Sequence, residues 1–221
     1  MSEKQLMVSY YIVMTFLFLL FISSTILDDS TRNMLLKEKG PIEIVSASLH
    51  FICFFLVVIK GGIAFFKAYP YFTILPLLFG FRELDFDVKF TTTGILKIKF
   101  FTRSDIPLYE KAIGFIIILS VVMLVLMMIK NHFRPLLTEL KKRSVIAIGV
   151  VMTIFIIIAS NTLDGLGRKT KSMGLELHPL ILKYSSVAEE IVELGIPILM
   201  ILMFSYYFSV KSKDLKTTFS S

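Results

Sequence analysis

The chain has 221 residues, a formal net charge of +7, 55% hydrophobic residues and 19% charged residues. A soluble domain carries about 45–50% apolar and about a quarter charged residues. Here the apolar excess is gathered into runs, which excludes an ordinary soluble fold and marks a membrane protein. The single cysteine, Cys53, lies inside an apolar run, so no intramolecular disulfide framework exists and small-hydrophobe packing is its expected role.

Zinc-ribbon, P-loop and dinucleotide glycine motifs are absent. The positive charge is assigned to Lys and Arg flanking membrane segments, where they set orientation, and not to a nucleic-acid surface.

In chain order, the first apolar segment covers residues 6–27. It is too long for a comfortable signal-peptide core, and no Ala-x-Ala site follows, so it reads as an uncleaved span. The small residues Ser23, Ser24 and Thr25 leave a cleaved signal as the alternative. A polar loop over 28–40 follows. Pro41 suits the first position of a helix, where its missing N–H costs nothing, and a second span covers 42–59. Lys60-Gly61-Gly62 predicts a short turn before a third span over 63–81, which Pro70 and Pro76 should bend.

Residues 82–111 are the least lipid-like stretch. Glu83, Asp85, Asp87 and Lys89 alternate with Leu84, Phe86, Val88 and Phe90, and Lys97 and Lys99 alternate with Leu96, Ile98 and Phe100. Period two argues for strands, and Thr91-Thr92-Thr93-Gly94 supplies a turn. A hairpin pairing Asp87 with Lys97 and Asp85 with Lys99 satisfies both faces. The competing reading is a helical, amphipathic continuation of the third span, with Glu83 and Asp87 at i and i+4.

The fourth span, 112–129, is almost free of polar residues and reads as a lipid-facing wall, followed by a basic loop over 130–143. The fifth span, 144–163, ends in Ser160, Asn161 and Asp164. A polar loop leads to a sixth span over 187–210, where Gly195 and Pro197 predict a kink and Ser186 with Glu189 fits an N-terminal capping box. The fold class is therefore all-α and polytopic. About six spans of about 20 residues match a hydrocarbon core about 30 Å thick, with 82–111 as an extracytoplasmic hairpin or amphipathic segment.

Short, basic connections place both termini in the cytoplasm. Of the 17 acids, only Glu3, Glu139 and Asp214 then lie inside.

Glu43, Ser46 and His50 are spaced i, i+3, i+7 and share one helix face. Ionisable groups on such a helix are costly in lipid and are functional candidates by default. Glu190 and Glu193 share a face of the sixth span, and Asp164 closes the fifth, where the helix dipole repels an anion. It therefore needs a partner: Arg82, Arg168 or a cation.

Gly40-Pro-Ile-Glu43, Phe81-Arg-Glu-Leu-Asp-Phe86 and Phe90-Thr-Thr-Thr-Gly-Ile-Leu-Lys97 resemble a family of uncharacterised bacterial multi-pass inner-membrane proteins. The resemblance covers most of the chain. It carries no activity, and it adds weight to Glu43, Arg82, Glu83 and Asp85 as site residues. Ser46-x-x-x-His50 is faintly similar to the Ser/His helix motif of alkaline-ceramidase-like membrane hydrolases, whose zinc site also takes a late His-x-x-x-His pair. This chain has Glu189-Glu190-x-x-Glu193 where such a pair would fall.

Three functions are expected from these groups. The first is a metal-assisted hydrolase or transferase acting on a lipid or lipid-linked substrate. Glu43, His50, Glu83, Asp85 and Arg82 would be catalytic, and Asp164, Glu190 and Glu193 would hold a divalent metal. The second is a small proton- or cation-coupled transporter using the same carboxylates. The third is a non-catalytic scaffold. The expected partners are the bilayer and a lipid or small-molecule substrate, with no nucleic acid.

Overall fold

The computed structural model describes residues 1–36, 40–95 and 97–219. Parts of the expected polar loop (37–39), hairpin (Leu96) and tail (220–221) lie outside the described residues. Among the described residues every regular element is a helix.

Helix α1 (Glu3–Ile26) starts at a capping box: the Ser2 side chain accepts from the Gln5 amide, and the Gln5 side chain accepts from the Ser2 amide. Its buried residues Leu6, Tyr10, Val13 and Leu17 recur every three or four positions and form one inward stripe. Tyr11, Ile12, Phe18 and Leu19 face outward.

The expected loop after α1 contains a helix, α2 (Asp29–Leu36). Arg32 on α2 is 4% exposed and turns back to the end of α1, donating to the carbonyls of Ser24 and Leu27. These carbonyls have no partner within their own helix, so the guanidinium caps α1 from outside it. Asp29 pairs with Arg32 and with Lys183. Lys183 first, then Arg32, hold the Asp29 carboxyl below its usual range. That clasp is therefore present at neutral pH and opens as the carboxyl takes up its proton in acid.

Helix α3 (Pro41–Ala68) comprises two helical stretches joined across a kink at the expected Lys60-Gly61-Gly62 turn. Gly62 takes φ 65° and ψ −173°, a conformation that a side chain would oppose. After Tyr69, helix α4 (Pro70–Glu83) returns along α3. His50 stacks on Phe79 and Phe51 meets Phe81, while Phe65 meets Tyr69 and Phe72. The expected third span is thus divided between the end of α3 and α4. At 14 residues, α4 is about 21 Å long at 1.5 Å per residue.

Among the described residues, five helices are long and apolar enough to cross a bilayer: α1, α3, α7 (Leu108–Lys141), α8 (Val145–Leu163) and α10 (Pro179–Phe219), the last counted over Pro179–Val210. The chain is a membrane protein with several transmembrane helices.

The stretch expected to form a hairpin or a helical amphipathic segment holds two short helices, α5 (Phe86–Phe90) and α6 (Ile98–Thr102), and no strand among the described residues. Phe81, Phe86 and Phe90 instead pack successively on one another across the turn at Asp85, with ring centroids 4.7 and 5.3 Å apart. Asp85 makes the turn out of α4 with φ 52°. Ile95, Phe100 and Ile106 close a small core over Gly114 of α7, where an added Cβ would lie 2.8 Å from Phe100 Cε1.

The expected basic loop over 130–143 is largely helix, since α7 continues to Lys141. The polar loop before α10 contains α9 (Leu166–Ser172). Because α10 begins at Pro179, Ser186 and Glu189 lie within the helix and do not form its cap.

The bundle is organised around α10. Within its apolar window 56% of residues are buried, against 6% in α7. Helices α1, α3 and α8 pack directly on α10, α4 packs along α3 and meets α10 through Arg82–Glu193 and Phe72–Phe204, and α7 is an outer wall touching α4 and α8. Lipid is as apolar as leucine, so helix association in a bilayer relies on close packing, which small residues permit. Gly149 on α8 is such a position: an added Cβ would lie 2.2 Å from the Tyr10 hydroxyl. We expect Gly149→Ala to lower thermal stability in detergent by about 1–3 kcal/mol, the usual cost of overpacking. Tyr10→Phe in the same chain should recover part of the loss, as read by circular-dichroism melting. An unchanged melt for Gly149→Ala would refute this contact.

Candidate functional site

The polar residues of four helices meet at the end of the bundle where α3 begins and α4 and α8 end. Arg82 occupies the last turn of α4, where the helix dipole favours a cation. Its Nη2 donates to Glu193 Oε1 of α10 at 3.2 Å, and its Nη1 lies 3.7 Å from Glu83 Oε1. Ser160 of α8 donates to the same Glu193 oxygen at 2.7 Å. The side chains of Glu83 and Glu193 are 4% and 10% exposed, while that of Arg82 is 37% exposed. Two enclosed carboxylates therefore share one guanidinium that reaches toward the surface.

Around this centre lie more acids. Glu190 is half-buried and within electrostatic range of Glu193, Glu43, Glu189 and Glu83. Glu43 begins α3 and adds its charge to Glu83. Among the described residues Glu190 forms no ion pair. Ser46 is 1% exposed beside Glu83, and its hydroxyl has no hydrogen-bond partner among the described residues. His50, also 1% exposed, stacks on Phe79 with ring centroids 5.5 Å apart, and its Nδ1 has no hydrogen-bond partner among the described residues.

The expected site residues thus separate into two sets. Glu43, His50, Arg82, Glu83, Glu190 and Glu193 come to one end of the bundle and share one electrostatic field. Asp164 sits at its rim, at the C-cap of α8, 3.7 Å from Arg168 and within range of Arg82. The partner that its place in the helix dipole required is therefore arginine. Asp85 lies in the turn beyond α4 and forms no ion pair among the described residues. Among the described residues no three His, Cys, Asp or Glu side chains are grouped as a metal ion requires.

Some participants lay outside the expected set. Ser160 precedes Asp164 by four residues on the face that meets α10, and that spacing was its only trace in the sequence. At the opposite end, His132 of α7 bonds to Tyr71 of α4 at 2.7 Å, within a shell formed by Tyr69 and Phe72. Asn131 donates to the same Tyr71 oxygen at 3.4 Å. This pair joins the outer helix to the hairpin of α3 and α4.

Fold and site together define the class: a helical membrane protein with an arginine–carboxylate centre enclosed at one end of its bundle. No protein family, no curated protein and no solved structure matches this chain.

Removing the guanidinium should cost more than neutralising one of its partners, because it leaves two carboxylates facing each other in a poorly solvated site. We expect Arg82→Ala to destabilise by about 3 kcal/mol, the low end for a broken buried pair, since Arg82 is partly exposed. Glu193→Gln should cost clearly less, because an amide still accepts from Ser160. Equal losses in thermal melts of the two variants would contradict the shared-guanidinium arrangement.

Proposed function

We propose that this is a six-pass inner-membrane carrier of a bacterial cell that binds and releases a proton or a small cation at the centre of Arg82, Glu83, Glu190 and Glu193. In this reading α4 is a short sixth crossing, and both termini are cytoplasmic. One observation carries it: Glu83 and Glu193 share a single guanidinium, and a third carboxylate, Glu190, lies within electrostatic range of both, in a site where uncompensated charge is expensive. Such a group cannot hold three full negative charges, so it takes up a positive one. A bound proton or cation relieves the repulsion, and its departure restores it, so occupancy becomes a lever on the contacts between α4 and α10.

The helices that carry the centre are also those with defects suited to movement. Gly62 kinks α3 next to α4, Pro76 interrupts α4, and Pro197 lies four residues beyond Glu193. The metal-hydrolase reading uses many of the same residues but requires three ligands to converge, which the described side chains do not do in this conformation.

The test is proton movement into pyranine-loaded proteoliposomes under a potassium–valinomycin potential. We expect acidification well above protein-free vesicles. Glu193→Gln and Glu83→Gln should slow it at least tenfold, while Glu139→Gln, in an exposed pair with Lys142, should leave it unchanged. No protein-dependent flux would overturn the carrier reading. About one divalent metal per chain by mass spectrometry, lost on replacing Glu190 and Glu193 by Ala, would favour the hydrolase instead. Wild-type behaviour in every carboxylate variant would favour a scaffold.

A further inference from the structure

The opposite end of the bundle, where α1 and α8 begin, has a cavity that the arginine–carboxylate centre does not use. It is about 400 Å³ in volume and lined by Glu3, Ser144, Val145, Ile146, Tyr206, Tyr207 and Val210. Tyr206 donates to Glu3 at 3.5 Å. Deeper in, Tyr10 lies close to Tyr206 and points its hydroxyl at Gly149. Tyr10 is 1% exposed, and that hydroxyl has no partner among the described residues. One turn further along α8 is Thr153, also buried, with its hydroxyl donating to the Gly149 carbonyl. A column of polar groups therefore enters the bundle from this end.

A second column enters from the other end and stops at Ser160 and Glu193. Along α8 the two are separated by the buried Ile156. At that level α1, α8 and α10 come together over a glycine. A Cβ added to Gly195 would lie 2.7 Å from Leu17 Cδ1 and 3.4 Å from Ile156 Cδ1. From Thr153 to Ser160 is seven residues, about 10 Å along the helix axis. The apolar barrier along α8 is thus about a third of the membrane's hydrocarbon core of about 30 Å.

We infer that the cavity at Glu3 and Tyr206 is the second mouth of a water-accessible route through the protein, and that Leu17 and Ile156, closed over Gly195, are its gate. The class of ligand is a proton or a small hydrated cation, admitted past tyrosine hydroxyls and a carboxylate. This inference rests on the carrier reading for its purpose, but its geometry is tested separately. A side chain other than hydrogen at 195 would hold Leu17 and Ile156 apart, and a smaller residue at 17 would leave the layer open.

The experiment uses the full chain with Cys53→Ala and one cysteine introduced at a time. It is reconstituted in vesicles whose orientation is read from protease access to a tag on the N-terminus. A membrane-impermeant methanethiosulfonate reagent is applied from each side. Val145→Cys should react only from the side carrying the N-terminus, and Ser160→Cys only from the opposite side. Ile156→Cys should react from neither side, and adding Leu17→Ala should raise its rate at least tenfold. Tyr207→Cys and Glu190→Cys replace the first two positions should either chain fail to purify as a folded species.

An inert cavity position would overturn the inference, as would Ile156→Cys reacting as fast as Val145→Cys. If the labelling pattern holds and wild-type protein moves no protons, the route stands and the carrier reading falls. If protons move and the cavity position is inert, the carrier stands with a different inner path.

Discussion

One guanidinium serving two enclosed carboxylates is the constraint on which this structure depends. Arg82 closes α4, Glu193 lies within α10, and Ser160 adds a donor from α8. These are three of the helices of the bundle, and in lipid there is no hydrophobic force to bring them together. A directed polar contact therefore sets their relative height and rotation, because an ionic group left facing hydrocarbon would cost far more than the contact returns. The surrounding small residues and kinks then allow the backbones to approach around a point already fixed. The tenth helix carries the acids as well as the largest buried surface, so architecture and candidate chemistry share one element.

Much of this was legible in the sequence. Apolar runs located the long helices, because residues that must satisfy their backbone in lipid have few conformational choices. The face shared by Glu43, Ser46 and His50 was legible for the same reason: helical period fixes which side chains point together. The grouping of Glu83, Glu190 and Glu193 followed from placing the acids at one end, although distances between helices cannot be read from period.

What was misread has identifiable causes. The strict alternation after Glu83 suggested strands beside a helical alternative, and the described residues there are helical, with Phe81, Phe86 and Phe90 packed on one another across the turn at Asp85. Lys60-Gly61-Gly62 read as a short turn, and Gly62 does leave helical geometry there, but the chain then makes only a short further stretch to Ala68 before α4. Residues 28–40 read as a polar loop, and only the three-dimensional return of α2 shows Arg32 covering the exposed carbonyls of α1. Ser186 and Glu189 have the letters of a cap, whereas helix α10 had already begun at Pro179.

The position of α10 in the chain has a consequence for how the molecule is made. A polypeptide emerges from the ribosome with its earlier segments first, and the helix at the middle of this bundle follows all the others. Helices α1, α3, α4 and α8 reach the bilayer before the surface that unites them exists, and Arg82 must wait there with Glu83 as its neighbour. The apolar outer helix α7 needs no such partner, since almost none of it is covered. Assembly is therefore gated by delivery of the tenth helix, so a ribosome stalled before Glu193 would leave several inserted helices without a common centre, open to capture by membrane chaperones or proteases.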